Sequence, residues 1–325
     1  MRIGIIGTGA LASLFAIRLA ETAEVVMVGS WAAQLDAIRE AGLTLLESVG
    51  RSHTHPLTAT DQPVLLEPVD AALVLVKSYQ TGTAVRRLRH LLHSDTLIVT
   101  LQNGLGNWET LAEAYGAWRV VQGVTSLGAT LVRPGVVRAA GDGPISLGRA
   151  TANPFFDPFV TCLREASFTV ELVYDTRGLV WGKLAVNAAI NPLTAVLHIR
   201  NGVLAEEPVL REVMEAVARE TAVVAATQGI QLPYPDAAER ALQVAQATAQ
   251  NHSSMLQDVE RGGQTEIEAI CGAILQAARR AGLDAPLNAQ LYRWVKQIEA
   301  GQAIHDWKIQ VEGQVVDLAG YERGI

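Results

Sequence analysis

A chain of 325 residues is long enough for two domains, and 49% hydrophobic with 18% charged residues marks it as folded rather than disordered. A net charge of −7 argues against a general nucleic-acid binder, which carries a basic face. No apolar run approaches the roughly 18 residues needed to cross a bilayer.

Two basic clusters, Arg86-Arg87-Leu88-Arg89 and Arg279-Arg280, fall in helical patterns and read as solvated faces. Cys162 and Cys271 stand far apart without metal-ligand spacing and read as reduced, buried thiols. No signal-peptide pattern opens the chain, so a cytoplasmic location is expected. No metal, nucleic-acid or membrane partner is expected, and the sequence leaves a homodimer open.

Residues 2–6 read as a short buried strand, 10–20 as a helix, 24–28 as a second strand and 32–40 as a second helix. Residues 71–76 form a continuous apolar run, as in a central parallel strand covered on both faces. A helix over 83–92 and a strand over 96–101 follow. Residues 120–137, with Arg133-Pro134-Gly135 as a turn, read as hairpin-like additions. A short strand at 145–147, a helix at 158–165 and a strand at 168–173 close this half. From Leu179 onward the periodicity is helical, with segments at 184–198, 206–228, 236–251, 264–282 and 286–299. The expected division is therefore an α/β domain over 1–174 and an all-α domain over 175–325. Within the tail from about 301, residues 308–313 read either as a strand or as a weakly ordered extension.

Gly7-Thr8-Gly9-Ala10-Leu11-Ala12 fits G-x-G-x-x-G/A. The first glycine permits the strand-to-helix turn and the second lets backbone approach a pyrophosphate. Ala12 is small enough for close helix–strand packing. The motif follows a strand and opens a helix inside a βαβ pattern, the context that gives it meaning. The fold class is thus a Rossmann-type doubly wound sheet followed by a helical domain, and the cofactor is a nicotinamide dinucleotide. At the end of the second strand stands Gly29-Ser30-Trp31, with no carboxylate to repel a 2′-phosphate. That favours NADP (NADPH) and leaves NAD open; Ser30 either donates to the phosphate or is a plain loop residue.

Lys183, Asn187 and Asn191 recur at i, i+4 and i+8 on an otherwise apolar helix, so they share one stripe. Burying a lysine and two amides without partners is costly, which points them at each other, at another domain or at a ligand. A second polar group gathers at Asn251-His252-Ser253-Ser254 and Gln264-Thr265-Glu266. Ser253 or Ser254 either binds a carboxylate or caps the following helix. Glu266, in a helical and partly apolar context, either orients a lysine or a substrate hydroxyl or is an ordinary surface residue.

Together with Lys77-Ser78-Tyr79-Gln80, Leu101-Gln102-Asn103-Gly104-Leu105-Gly106, Asn201-Gly202 and Ser253-Ser254-Met255-Leu256-Gln257-Asp258, these segments make the chain resemble the ketopantoate reductase (2-dehydropantoate 2-reductase) family from residue 1 to about 299. The resemblance implies NADPH-dependent reduction of 2-dehydropantoate to (R)-pantoate, in pantothenate biosynthesis. It implies Lys183 as proton donor and Glu266 as its acidic helper. Asn187, Asn191, Asn201 and Ser254 match substrate-contacting positions, and Lys77 and Asn103 match positions shared by cofactor and substrate. Ser30 stands where the family often has an arginine. Two alternatives are a reductase of another small 2-keto acid with the same lysine, and a non-catalytic dinucleotide sensor, which would be expected to lose Lys183 or Glu266.

Overall fold

Alternating apolar strands and amphipathic helices over residues 1–176 assemble a twisted sheet in the computed structural model, which describes residues 1–47, 50–150 and 152–321. In chain order this first unit contains β1 (Arg2–Ile6), α1 (Ala10–Leu19), β2 (Glu24–Val28), α2 (Ala32–Ala41), β3 (Leu43–Leu46), β4 (Ser52–His55) and β5 (Thr58–Thr60). It continues with β6 (Val69–Val74), α3 (Thr81–Leu88), β7 (Leu92–Thr100), α4 (Asn107–Tyr115) and β8 (Val120–Thr125). β9 (Ala129–Arg133), β10 (Val136–Ala139), β11 (Ile145–Gly148), α5 (Phe156–Glu165) and β12 (Val170–Val173) complete it.

The main sheet runs β12-β11-β8-β7-β6-β1-β2-β5. Its pairs are parallel except β8 with β11. Read from β5 to β8, the order is that of a dinucleotide-binding sheet, with the direction of winding reversing between β1 and β6. The glycine loop leaves the carboxyl end of β1 at that reversal, where doubly wound sheets bind ligands. Strand alternation feeds two cores: Ile3 and Ile5 join one face of the sheet, Ile6 the other.

A four-stranded sheet, β4-β3-β10-β9, forms against the far side of α1. It explains why α1 is apolar nearly all round, with Leu14, Phe15 and Ile17 fully buried. Gln34 is buried between the layers, donating to Ser13 Oγ and accepting from the Gly135 amide. The hairpin at 129–139 follows from its turn sequence. Pairing of β3 with β10, 90 residues on, has no local signature, and residues 43–60 carry strands that the sequence pattern does not announce.

The second unit comprises Asn103–Leu105 and Arg177–Ile325. Its axis is α6 (Arg177–Leu197), 21 residues long and buried along most of its length. Around it pack α7 (Asn201–Glu206), α8 (Pro208–Thr227), α9 (Ala237–Ala247), α10 (Ser254–Glu260) and α12 (Pro286–Glu299), with α11 (Ala273–Arg280) against α8 and α12. The helix expected over 206–228 is α8, which begins at Pro208, a residue suited to the first helical position because its missing N–H costs nothing there. The helix expected over 264–282 begins as a π-helical turn over Glu268–Gly272, so Glu266 lies in the entry turn and not on the helix. The tail is a hairpin of β13 (Lys308–Val311) and β14 (Gln314–Asp317). Glu312 and Gly313, both at positive φ, supply its two-residue turn. Ile309, Val311 and Leu318 are buried in the helical core, and Trp294 Nε1 donates to the Asp306 carbonyl at 3.0 Å.

Candidate active site

The dinucleotide end of the first unit starts at Gly7. Its φ is +132°, and a Cβ there would lie 2.9 Å from the Leu75 carbonyl oxygen, so only glycine fits. Thr8 is buried, and Gly29 leaves it room: a Cβ at Gly29 would meet the Thr8 side chain at 2.4 Å. Gly9 is exposed, with open space where its Cβ would point. It begins α1 without a side-chain cap, and the first turn carries no acidic residue. Leu11 is half-buried and Ala12 fully buried against the sheet. The N-terminal N–H groups of α1, from Ala10 on, therefore suit a pyrophosphate. Ser30 is exposed at the end of β2. Lys77 follows β6 and starts a short 3₁₀ turn through the Gln80 amide, which donates to its carbonyl. Gln102, after β7, ties the neighbouring loops together by donating to the Val76 carbonyl and to Thr81 Oγ1, each at 2.9 Å.

The second unit carries the polar chemistry. Lys183, Asn187 and Asn191 lie on α6 at the expected spacing, with Asn191 buried and the other two half-buried. Enough protein surrounds the Lys183 ammonium for burial to lower its pKa to about 8, against an upward pull from the charge of Glu266. Glu266 is 5% exposed, and its Oε2 accepts from Asn103 Nδ2 at 3.1 Å. Asn103 is delivered by a docked loop: the Leu105 amide donates to the Ala269 carbonyl at 2.9 Å. Gly104 between them has φ +80°, and a Cβ there would meet the Ala269 oxygen at 2.4 Å. Gly104 is a site requirement that the motif contains but residue type alone does not reveal.

Asn201 opens α7, donating through Nδ2 to Thr248 Oγ1 while its own amide reaches the Asn251 carbonyl. Its Oδ1 is buried and has no partner among the described residues, an acceptor that suits a ligand donor. The two serines divide the roles left open by sequence. Ser253 caps α10 through the Leu256 amide and takes a hydrogen bond from Thr194 Oγ1, while Ser254 is exposed. Both cysteines are free and buried, and burial raises the pKa of both thiols. Among the described residues no group of three or more His, Cys, Asp or Glu side chains could hold a metal, and no helix is long and apolar enough to cross a membrane.

A glycine loop at the reversal of a parallel sheet, with a helical unit bearing a pKa-shifted lysine and an acidic partner, defines a nicotinamide-dependent oxidoreductase. Residues 3–152 match the family Ketopantoate reductase PanE/ApbA and residues 175–299 its C-terminal counterpart. The 2-dehydropantoate 2-reductase of Archaeoglobus fulgidus is 36% identical over 302 residues, covering 92% of this chain and 98% of that protein. That of Halobacterium salinarum is 38% identical over 296 residues, covering 88% and 95%. The crystal structure of a PanE/ApbA family ketopantoate reductase from Ralstonia eutropha superposes with a TM-score of 0.86 at 28% identity, covering 93% and 99%. The chain belongs to the ketopantoate reductase family.

Proposed function

We propose that this chain reduces 2-dehydropantoate to (R)-pantoate with NADPH, the reduction that pantothenate biosynthesis requires, with Lys183 as proton donor. The observation that carries the reading is the polar stripe of Lys183, Asn187 and Asn191 on an otherwise buried α6, with the buried Glu266 carboxylate held by Asn103 in the same unit. Burial lowers the Lys183 pKa to about 8 against the pull of the Glu266 charge. A general acid works best when its pKa lies near the working pH. At neutral pH Lys183 is still mostly cationic, yet it releases its proton far more readily than an ordinary lysine.

The backbone from Gly7 to Ala12, with Ser30 and Lys77 at the edges, would hold a nicotinamide dinucleotide, which when bound would supply the hydride for the keto carbon. The chain's own residues do the rest. Lys183 Nζ stabilises negative charge developing on the keto oxygen and transfers its proton there. Glu266 holds that ammonium in its charged form, and Asn103 keeps the Glu266 carboxylate turned to its task. Asn187, Asn191 and Ser254 offer neutral donors to the substrate carboxylate, which binds without a competing charge. The buried Asn201 Oδ1 suits the substrate's distal hydroxyl, because an unpaired acceptor rewards a ligand that brings a donor and penalises one that does not.

The reading places the enzyme in the cytoplasm, without nucleic-acid, membrane or metal partners; a homodimer is compatible with it and sedimentation equilibrium decides that point. The test is oxidation of NADPH, and separately NADH, by purified protein with 2-dehydropantoate and with a panel of other small 2-keto acids. Preference for 2-dehydropantoate with NADPH is expected. A higher kcat/KM for another keto acid would reassign the substrate, and no activity with any would support a dinucleotide-sensing role.

A further inference from the structure

Glu266 lies in a segment with no regular structure of its own, between the end of α10 at Glu260 and the π-helical turn from Glu268. What fixes this turn comes from the far end of the chain. Glu299, the last residue of α12, accepts through Oε1 from both the backbone amide and Oγ1 of Thr265, each at 2.8 Å. Its other oxygen, Oε2, accepts from Lys296 Nζ at 2.7 Å. Thr265 is 1% exposed, and its Oγ1 in turn accepts from the Ile267 amide at 3.2 Å. Thr265, just before Glu266, is therefore tied to the Glu299 carboxylate, and Ile267, just after it, is tied to Thr265. Burial pushes the Glu299 carboxyl up, but the hydrogen bonds from Lys296 and Thr265 outweigh it and hold the group below the usual range.

We propose that Glu299 is a positioning residue for Glu266, fixing the turn so that the Glu266 carboxylate stays where it sustains the charge of Lys183. The proposal rests on Lys183 being the proton donor. Three donor–acceptor contacts to a single, mostly buried carboxylate are more than an exposed helix end needs, and two of them land on the residue adjacent to Glu266. The other titratable groups facing this clamp are Glu268 and Tyr292, hydrogen-bonded to each other at 2.7 Å, with Lys296 Nζ 3.6 Å from Glu268 Oε1. They belong to the π-helical turn and to α12, so they brace the same turn from its other end. On the opposite side, the charge of Glu266 acts on the Lys183 ammonium.

The test is the pH dependence of kcat/KM for the keto acid, at saturating NADPH, in the intact enzyme. Glu299→Ala is expected to lower kcat by about 10- to 100-fold, the scale of a small misplacement of a catalytic group. It should also move the descending limb of the profile below its wild-type position and leave KM for NADPH unchanged. Combined with Glu266→Gln, it should move the limb no further than Glu266→Gln alone. Glu299→Gln keeps an oxygen for Thr265 and should restore most of the profile. A merely structural role would reduce the active fraction and the melting temperature without moving the limb, and a folded Glu299→Ala enzyme with its limb unmoved overturns the proposal. If Glu299→Ala does not fold, Thr265→Val removes one of the two donors, and an unmoved limb in that variant overturns it equally. A wild-type profile with no limb near pH 8 would instead overturn the role of Lys183, and the proposal with it.

Discussion

Lys183 gives the account its sharpest quantitative consequence. Burial, partly offset by Glu266, lowers its pKa from 10.5 to about 8, which disfavours the cation by about 3 kcal/mol. If the cation is the proton donor, activity follows its population. With a pKa of about 8, that population is roughly nine-tenths at pH 7, one-tenth at pH 9 and one-hundredth at pH 10. The kcat/KM for 2-dehydropantoate should therefore fall about tenfold from pH 7 to pH 9, a range in which an ordinary lysine would lose only a few per cent of its charge. The Glu266 charge raises this pKa, so Glu266→Gln should shift the limb to lower pH. Lys183→Arg should abolish the limb, because a guanidinium stays charged beyond pH 12, while lowering the rate at every pH. The assay is NADPH oxidation at saturating cofactor from pH 6 to 10. A limb at pH 10 or above in the wild-type enzyme, or a limb unmoved in Glu266→Gln, would refute the link between burial, charge and proton transfer.

Gly104→Ala should displace the loop that carries Asn103, because the new Cβ would sit 2.4 Å from the Ala269 oxygen at a φ of +80°. A stability loss of roughly 1–3 kcal/mol by denaturant titration and a lower kcat are expected. Ser30→Asp would place a carboxylate at the end of β2, and the ratio of kcat/KM for NADPH over NADH should fall roughly tenfold or more, since about 1.4 kcal/mol of repulsion suffices. Ser253→Ala loses both the cap on α10 and the partner of Thr194. A loss of about 0.5–2 kcal/mol is expected, read as a fall of a few degrees in melting temperature.

Much of this was legible in sequence because the signals are local. The glycine loop needs neighbours only a few residues apart, and the strand and helix around it carry their own periodicity. The stripe of Lys183, Asn187 and Asn191 is legible because a helix turns every 3.6 residues and nothing apolar replaces them. Long-range pairings left no such trace. The small sheet joins β3 to β10, and a four-residue strand such as Leu43-Thr44-Leu45-Leu46 is too short to show a period. The entry turn at Glu266 read as helix because its apolar spacing continues into the π-helical turn, and spacing does not distinguish the two. Glu299 looked like any charged residue at a helix end. Its partner Thr265 lies 34 residues earlier, and only the fold brings them within 2.8 Å. The tail was ambiguous for the opposite reason: Ile309 and Val311 alternate as a strand should, but what they bury against is the helical core and not a larger sheet.

The most direct test of the central claim is the yield of pantoate per NADPH consumed, measured at pH 7 for the wild-type enzyme and for Lys183→Ala side by side. The account predicts one (R)-pantoate per NADPH from the wild type. It predicts turnover lower by roughly 10²- to 10⁴-fold in a variant that remains folded, the range for loss of an acid–base group. Pantoate formed at a similar rate by Lys183→Ala, or none formed by the wild-type enzyme, would contradict it.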